Sequence, residues 1–117
     1  MRKKRILSGM RPTGKLHIGH YVGALENWVK LQNEYESYHL IADYHVLTTD
    51  LNIENIYENS IDMLIDWLAT GLDPKKSPMF RQSQIKEHTE LALIFGMLCP
   101  IGQKYKRKIR DRSRRWV

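Results

Sequence analysis

The sequence predicts an α/β fold in which a parallel sheet is flanked by helices, and two observations favour this class. Three short apolar segments of strand type alternate along the chain with three longer segments whose apolar residues recur at helical spacing. Strands that alternate with helices in a short chain lie parallel, because each helix returns the chain to the same end of the sheet. With 117 residues, 42% of them hydrophobic, the chain has room for one compact domain and is too short for several.

The first strand is predicted at residues 5–8, a short apolar segment that runs into Gly9 and is typical of a buried strand ending in a turn. The first helix is predicted from Ile18 to Tyr35, because apolar residues return every three or four positions with charged residues between them. Its apolar positions are Tyr21, Leu25, Trp28 and Leu31 or Val29.

The second strand is predicted at residues 38–42, and a polar string that begins at Asp43 follows it. A second amphipathic helix comes next, and Gly71 just past its end indicates a C-terminal stop. The residues expected on the apolar face of this helix are Ile53, Ile56, Tyr57, Ile61, Leu64, Ile65 and Leu68.

The third strand is predicted at residues 78–82 and the third helix from about Glu87 to Leu98. The apolar stripe of this helix consists of Leu91, Ile94, Phe95 and Leu98. A sheet of only three strands leaves apolar side chains that the chain cannot fully cover, and we expect these around Trp28, Phe95 and Leu98.

The basic residues are concentrated at the end of the chain. The formal net charge is +6, but residues 103–117 hold eight basic residues and one acid, so the preceding 102 residues are close to neutral. A block of this kind favours a solvated end, with a phosphate-binding arm as the alternative. We therefore divide the chain into a folded domain at residues 1–102 and a basic tail at 103–117.

Cysteine and hydropathy patterns exclude several classes of protein. Cys99 is the only cysteine, so an internal disulfide or a cysteine-only zinc site is impossible, and we expect it to be a small buried apolar residue. No apolar run approaches the length of a membrane span, and the basic start at residues 2–5 leads into only a short apolar stretch. The sequence thus predicts a cytoplasmic protein with no targeting segment and no membrane contact.

Three segments follow the predicted strands, at residues 8–20, 43–49 and 82–88. In parallel α/β folds, ligands bind at the carboxyl ends of the strands, where loops lead into helices. All three segments are polar or contain glycine. They hold four of the five histidines, namely His17, His20, His45 and His88.

The first of these segments has the properties of a phosphate-binding loop. Its glycines let backbone N–H groups approach an anion, and the following helix begins near His17 with the positive end of its dipole. His17 and His20 lie three residues apart and share one face of the first helical turn. Imidazole N–H groups there can stabilise the charge that develops on a transferring phosphoryl or adenylyl group.

A histidine pair has a simpler alternative explanation, which is that His17 and His20 cap the helix or lie in solvent. A zinc site is not predicted, because no third ligand occurs nearby, and a serine triad lacks its acid. The residues taken by themselves predict a nucleotide-binding α/β domain and no metal site.

Residues 8–25 resemble the signature region of the tryptophanyl-tRNA synthetases. The tetrapeptide at residues 17–20, His-Ile-Gly-His, matches the HIGH signature of class I aminoacyl-tRNA synthetases in full. Ser-Gly-Met-Arg-Pro-Thr-Gly stands before it and Tyr-Val-Gly-Ala-Leu-Glu-Asn-Trp after it, and these flanks distinguish the tryptophan family from its tyrosine relative. Residues 41–48, 71–74, 80–83 and 87–91 agree with the family in order and spacing.

The resemblance implies a fold and an ATP site. The fold is the N-terminal part of a Rossmann-like (HUP-type) nucleotide-binding domain, so that residues 1–102 form the N-terminal half of a class I synthetase catalytic domain. His17 and His20 are implied as catalytic residues that contact the phosphates, and Gly19 lets the adenine stack closely on the backbone. The residues implied to bind ATP are Arg11, Pro12, Thr13, Gly19 and His20.

The resemblance also implies a tryptophan pocket. Leu7 and His45 would border it, and Asp43 would orient the end of the second strand. For His45 the alternative is a core histidine bonded to the backbone.

The implied activity is that of a tryptophan–tRNA ligase, which activates tryptophan with ATP, with Mg²⁺ expected, and transfers it to tRNA(Trp). The full-length family member is expected to be a homodimer. The family's Lys-Met-Ser-Lys-Ser loop and anticodon-reading domain have no counterpart in this chain, so the chain alone is expected to be nearly inactive. Two alternatives remain: a small nucleotidyltransferase that uses the same histidine pair, and a non-catalytic module that binds nucleic acid through the basic tail.

Overall fold

The computed structural model describes residues 3–48 and 54–99. A three-stranded parallel sheet has the order β1-β2-β3, with β1 at Arg5–Met10, β2 at Glu36–Ile41 and β3 at Met79–Arg81. The helices are α1 at Ile18–His20, α2 at Glu26–Leu31, α3 at Ile56–Ala69 and α4 at Lys86–Leu98. The predicted α/β class and the predicted element order are confirmed. The basic tail lies outside the described residues.

The first predicted helix is present, but it is interrupted. A π-helical segment at Tyr21–Leu25 separates α1 from α2, and the backbone N–H of Glu26 donates to the carbonyl of Tyr21, five residues back. The helix ends at Leu31, four residues before the predicted Tyr35, whose N–H closes a turn onto the carbonyl of Leu31. Single π turns of this kind are rare and occur often at functional sites.

The core lies between α2, α3 and one face of the sheet. The backbone of β2 alternates, so that Ser37, His39 and Ile41 are buried on that face. The ring of Trp28 stacks on His39 with centroids 4.3 Å apart and meets Trp67 edge-on at 5.2 Å. The buried cluster consists of Leu25, Trp28, Ile41, Met63, Trp67 and Leu72. The expectation of an uncovered apolar face around Trp28 is therefore wrong, because α3 and β2 close over it.

The apolar face predicted for α3 is correct only in part: Leu64 packs against the core and Ile56 is half-buried, but the other described members are exposed. The residues of this helix that are buried are Ser60, Met63 and Trp67. Four side chains that the helical spacing predicts in the core are exposed, with exposed fractions of 61% for Tyr57, 40% for Ile61, 57% for Ile65 and 44% for Leu68. The helix is apolar on two sides, so spacing alone could not decide which side packs inward. Ile53 lies outside the described residues.

The C-terminal stop predicted at Gly71 is confirmed. Gly71 has φ +103°, a left-handed conformation that suits glycine. Its N–H donates to the carbonyl of Leu68, and the N–H of Leu72 donates to the carbonyl of Trp67. These two bonds form a Schellman motif, which satisfies carbonyls at the end of α3 and turns the chain so that Leu72 enters the core.

The strand β1 is an edge strand rather than a buried one. Arg5 and Leu7 are exposed, and Ile6 is half-buried. The prediction of a buried strand at residues 5–8 is wrong: Leu7 pairs with Tyr38 and so lies on the face of the sheet opposite the buried His39, and β1 is also the edge strand of this sheet.

We predict that Gly9→Ala destabilises the chain by about 1–3 kcal/mol, the usual range for overpacking. A Cβ atom at Gly9 would lie 2.5 Å from the backbone carbonyl oxygen of Leu40 and 2.6 Å from its Cγ. The two residues are paired in the β1–β2 ladder, so separating them would distort the sheet. The matched control is Gly23→Ala, where a Cβ meets nothing within 4 Å. Urea unfolding should show a lower midpoint for the first variant only, and equal midpoints would refute the prediction.

The described residues fall into two compact units that divide after Gln84, and α4 belongs to the second. No side chain of α4 is buried, and Phe95 is 54% and Leu98 72% exposed. The expected uncovered face around these two residues is confirmed. Cys99 is exposed, which contradicts the predicted burial, because it follows the end of α4 in extended backbone instead of continuing the helix.

Candidate nucleotide-binding site

The three predicted loop segments begin at the carboxyl edge of the sheet, and residues 85–88 of the third segment belong to the second compact unit. Because β1, β2 and β3 are parallel, the loops that follow Met10, Ile41 and Arg81 emerge at one edge. The N–H of Ala42 donates to the carbonyl of Met10 at 2.8 Å, which continues the ladder one residue past the strands. Of the second segment, Thr49 lies outside the described residues.

The loop after β1 is anchored at Pro12, which is fully buried. Arg11 and Thr13 on either side of it are exposed, and the N–H of Thr13 closes a tight turn onto the carbonyl of Arg11 at 2.9 Å. Gly14 has φ +118°, which L side chains rarely adopt. The buried proline and the glycine together shape the turn in which Arg11 and Thr13 are exposed, a few residues before α1 begins.

His17 and His20 form a reciprocal cap at the start of α1. The N–H of Gly19 donates to Nδ1 of His17 at 3.1 Å, and the N–H of His17 donates to Nδ1 of His20 at 3.2 Å. The two ring centroids are 4.0 Å apart. The alternative that the two histidines cap the helix is thus confirmed, since both rings accept hydrogen bonds from backbone N–H groups that the first turn of a helix leaves without partners.

The same hydrogen bonds fix the tautomer of both rings. A nitrogen that accepts a hydrogen bond carries no proton, so in the neutral rings of His17 and His20 the proton lies on Nε2. Each ring thereby keeps one N–H donor free of the cap. Capping and phosphate binding use different nitrogens, and the two roles are compatible.

Gly19 is required by the cap itself. A Cβ atom at this position would lie 2.9 Å from Cε1 and 3.0 Å from Nδ1 of His17, closer than real Cβ contacts allow. Any side chain at Gly19 would push the imidazole of His17 off the backbone. The geometry therefore supplies a reason for this glycine that the sequence did not, beside the predicted approach of an adenine ring.

Asp43 connects the loops that follow β2 and β3. Its carboxylate is buried and accepts hydrogen bonds from the N–H of Tyr44 at 3.0 Å, the N–H of Ser83 at 3.0 Å, and the hydroxyl of Ser83. The predicted role of orienting a strand end fits this geometry. Sequence reasoning missed Ser83 as a site residue, although its place in the third loop segment was the signal that could have found it.

His45 lies in the 3₁₀ turn Tyr44–Thr48, and its ring is exposed. Its Nδ1 is 2.9 Å from the side-chain oxygen Oε1 of Gln82. The alternative of a core histidine bonded to the backbone is wrong, because His45 is exposed and its ring contacts a side chain.

Leu7 lies on β1 opposite Tyr38 in the ladder and is 58% exposed. Its place in a tryptophan pocket stays a prediction.

Two cavities open beside the carboxyl edge of the sheet, with volumes of about 250 Å³ and 330 Å³. Tyr57 and Arg81 line both, and the guanidinium carbon of Arg81 lies 5.5 Å from the ring centroid of Tyr57. Asp43 lines the larger cavity, whereas the residues of the first loop line neither. Among the described residues of the histidine pair, His17 is exposed and His20 is half-buried.

The described part of the chain has neither a metal-binding cluster nor a membrane-spanning helix. Within residues 3–48 and 54–99, no three His, Cys, Asp or Glu side chains are grouped so that they could hold a metal ion. In the same residues, no helix is both long and apolar enough to cross a bilayer.

Comparison with known proteins identifies the family. The family model described as tRNA synthetases class I (W and Y) matches residues 1–111. A tryptophan–tRNA ligase of Aquifex aeolicus is 59% identical over 97 residues, which cover 82% of this chain and 25% of the relative. One from Thermotoga maritima is 55% identical over 101 residues, covering 85% of this chain and 31% of the relative.

Solved structures agree. The Campylobacter jejuni tryptophanyl-tRNA synthetase, complexed with ADP and tryptophan, superimposes with a TM-score of 0.78 at 36% identity, covering 92% of this chain and 35% of that one. The tyrosyl-tRNA synthetase of Archaeoglobus fulgidus has a TM-score of 0.68 at 27% identity, over 78% of this chain and 29% of that one. The chain spans about a quarter to a third of the length of the relatives it matches. It belongs to the class I tRNA synthetases of the tryptophan and tyrosine family.

Proposed function

We propose that this chain supplies the ATP- and tryptophan-binding N-terminal part of a tryptophan–tRNA ligase. The observation that carries the proposal is the cap at the start of α1, which leaves the Nε2–H donors of His17 and His20 free at the positive end of a helix. Relatives named as tryptophan–tRNA ligases support tryptophan as the amino acid, and the Campylobacter jejuni complex with ADP and tryptophan supports an adenine nucleotide as the second substrate.

The reaction uses three substrates, tryptophan, ATP and tRNA(Trp), in two steps. An oxygen of the tryptophan carboxylate forms a bond to the α-phosphorus of ATP, the bond from that phosphorus to the bridging oxygen breaks, and pyrophosphate leaves with the electron pair. A hydroxyl oxygen of tRNA(Trp) then forms a bond to the carbonyl carbon of tryptophanyl-adenylate. The bond from that carbon to the phosphate oxygen breaks, AMP leaves with the electron pair, and the proton of the hydroxyl passes to solvent. Negative charge accumulates on phosphate oxygens in the first step, and hydrogen-bond donors placed there lower its barrier.

The proposed roles of the residues follow from their positions. Nε2–H groups of His17 and His20 donate to phosphate oxygens, and Gly19 lets the ring of His17 lie on the backbone. The exposed Arg11 and Thr13, held by Pro12, border the nucleotide. We expect Mg²⁺ to bind together with the phosphates of ATP, as it commonly does at nucleotide sites, and no step here depends on it. The tryptophan-binding part of the site is assigned to Leu7, Asp43 and His45.

A chimera tests the function. In it, this chain's residues replace the 97 matched residues of the Aquifex aeolicus ligase. We expect tryptophan-dependent exchange of pyrophosphate into ATP, while tyrosine in place of tryptophan gives none. Exchange with tyrosine, or adenylyl transfer to an acceptor that is not an amino acid, would refute the assignment. The isolated chain is expected to show no measurable exchange.

We further propose a homodimer for the full-length protein, in the cytoplasm. Independently of that proposal, α4 of this chain has strongly exposed apolar side chains, among them Leu93, Met97 and Leu98 at 65–72% exposure, and apolar patches of this kind favour self-association. We predict that the isolated chain self-associates at micromolar concentration. Light scattering checks this, with Leu98→Lys as the variant that should dissociate it. A monodisperse monomer of the unsubstituted chain would contradict the prediction.

A further inference from the structure

The loop after β3 determines which ring nitrogen His45 offers to a ligand. Nδ1 of His45 lies 2.9 Å from Oε1 of Gln82, a residue 37 positions further along the chain. The structure places the amide oxygen of Gln82, and not its amide nitrogen, against Nδ1. An amide oxygen only accepts hydrogen bonds, so this contact is a hydrogen bond when Nδ1 carries a proton. In the neutral ring the other nitrogen, Nε2, then has a free lone pair and is an acceptor.

This arrangement is the reverse of the one at the start of α1. There Nδ1 of His17 and of His20 accept hydrogen bonds, which leaves Nε2–H donors. The same edge of the sheet thus presents imidazole donors after β1 and an imidazole acceptor after β2. Phosphate oxygens need donors, whereas an ammonium or indole N–H group needs an acceptor.

Gln82 is itself held firmly. Its neighbour Ser83 donates both its backbone N–H and its hydroxyl to the buried carboxylate of Asp43. The same carboxylate accepts the N–H of Tyr44, the neighbour of His45. One buried carboxylate therefore fixes the turn that carries Gln82 to the turn that carries His45, and the hydrogen bond between the two side chains spans a short, fixed distance.

We propose that Gln82 is a positioning residue that holds His45 in the Nδ1–H form, so that Nε2 accepts a hydrogen bond from an N–H group of the bound amino acid. The assignment of an amino-acid ligand rests on the function proposed above, whereas the state of the ring does not. Within the described part of the chain His45 makes no other side-chain hydrogen bond that would fix its tautomer.

Nuclear magnetic resonance of the labelled imidazole nitrogens tests the state of the ring in the chain itself. At a pH where the ring is neutral, we expect His45 to be protonated on Nδ1. Gln82→Met keeps the length of the side chain and removes the acceptor, so most rings should change to the Nε2–H form, which free imidazole side chains prefer in water. Gln82→Glu keeps an acceptor oxygen and should preserve the Nδ1–H form.

Two outcomes would overturn the proposal: an Nε2–H ring in the unsubstituted chain, or an unchanged ring in Gln82→Met. The amide signals of Tyr44 and Ser83, which report their bonds to Asp43, show whether each variant keeps its fold. In the chimera, Gln82→Met should raise the KM for tryptophan about tenfold, which corresponds to the loss of one hydrogen bond of about 1.4 kcal/mol. The kcat should change little, and Gln82→Glu should restore the original KM. A chimera without tryptophan-dependent exchange would overturn the proposed function alone, since the ring measurement is made without ligand.

Discussion

His17→Asn in the chimera should lower the rate of tryptophan-dependent pyrophosphate exchange by about 10²–10³-fold, the usual effect of losing one donor that stabilises developing charge. Asparagine is among the best N-cap residues, so its Oδ1 can still accept the N–H of Gly19 and keep the start of α1 in place. What it lacks is the Nε2–H donor. The variant thus separates capping from phosphate binding, and the KM for tryptophan should change much less than kcat.

The matched control is His88→Asn, a histidine in the first turn of α4 that is exposed and has no role in the proposed site. It should leave the exchange rate unchanged. If His17→Asn were as active as the unsubstituted chimera, the imidazole would be a cap only. If kcat and tryptophan affinity fell equally, the ring would act in the ground state rather than in the transition state.

The stability of the chain should depend on pH through His39. This residue is 1% exposed, its ring stacks on Trp28, and burial lowers its pKa from 6.5 to about 4. The unfolded chain therefore binds more protons between these two pH values, and the free energy of unfolding falls as the pH falls through that window. The full loss from this one residue is about 3 kcal/mol, a large part of the stability of a small domain.

His39→Phe should remove this dependence, because a phenyl ring can stack on Trp28 without binding a proton. Urea unfolding between pH 4 and pH 7 measures the difference, and comparing the two proteins cancels the carboxylates that titrate in the same range. As the pH falls, the free energy of unfolding of His39→Phe should rise relative to that of the unsubstituted chain. His88→Phe, at an exposed position, is the control and should keep the original slope. Parallel curves for the chain and His39→Phe would contradict the lowered pKa.

The sequence by itself determined the class of fold and the order of its elements. Helical spacing before Leu31, short apolar strands and the stop at Gly71 are local patterns that depend on neighbouring residues, so they can be identified without knowing what packs on what. The loop containing His17 and His20 was identified in the same way, because strand, glycine and helix start follow one another along the chain.

Packing and side-chain hydrogen bonds were decided only by the tertiary structure. Met63 and Trp67, rather than Ile61 and Ile65, form the buried face of α3, because a helix that is apolar on two sides gives no preference until the sheet is in place. The burial of Trp28 likewise depends on tertiary contacts, because His39 of β2 and Trp67 of α3 pack against its ring.

The orientation of each imidazole depends on partners that spacing does not reveal. His17 and His20 are set by backbone N–H groups, and His45 by a glutamine 37 residues away. Which nitrogen of a ring faces a ligand is a property of three-dimensional contacts, because a histidine has the same two nitrogens in every sequence.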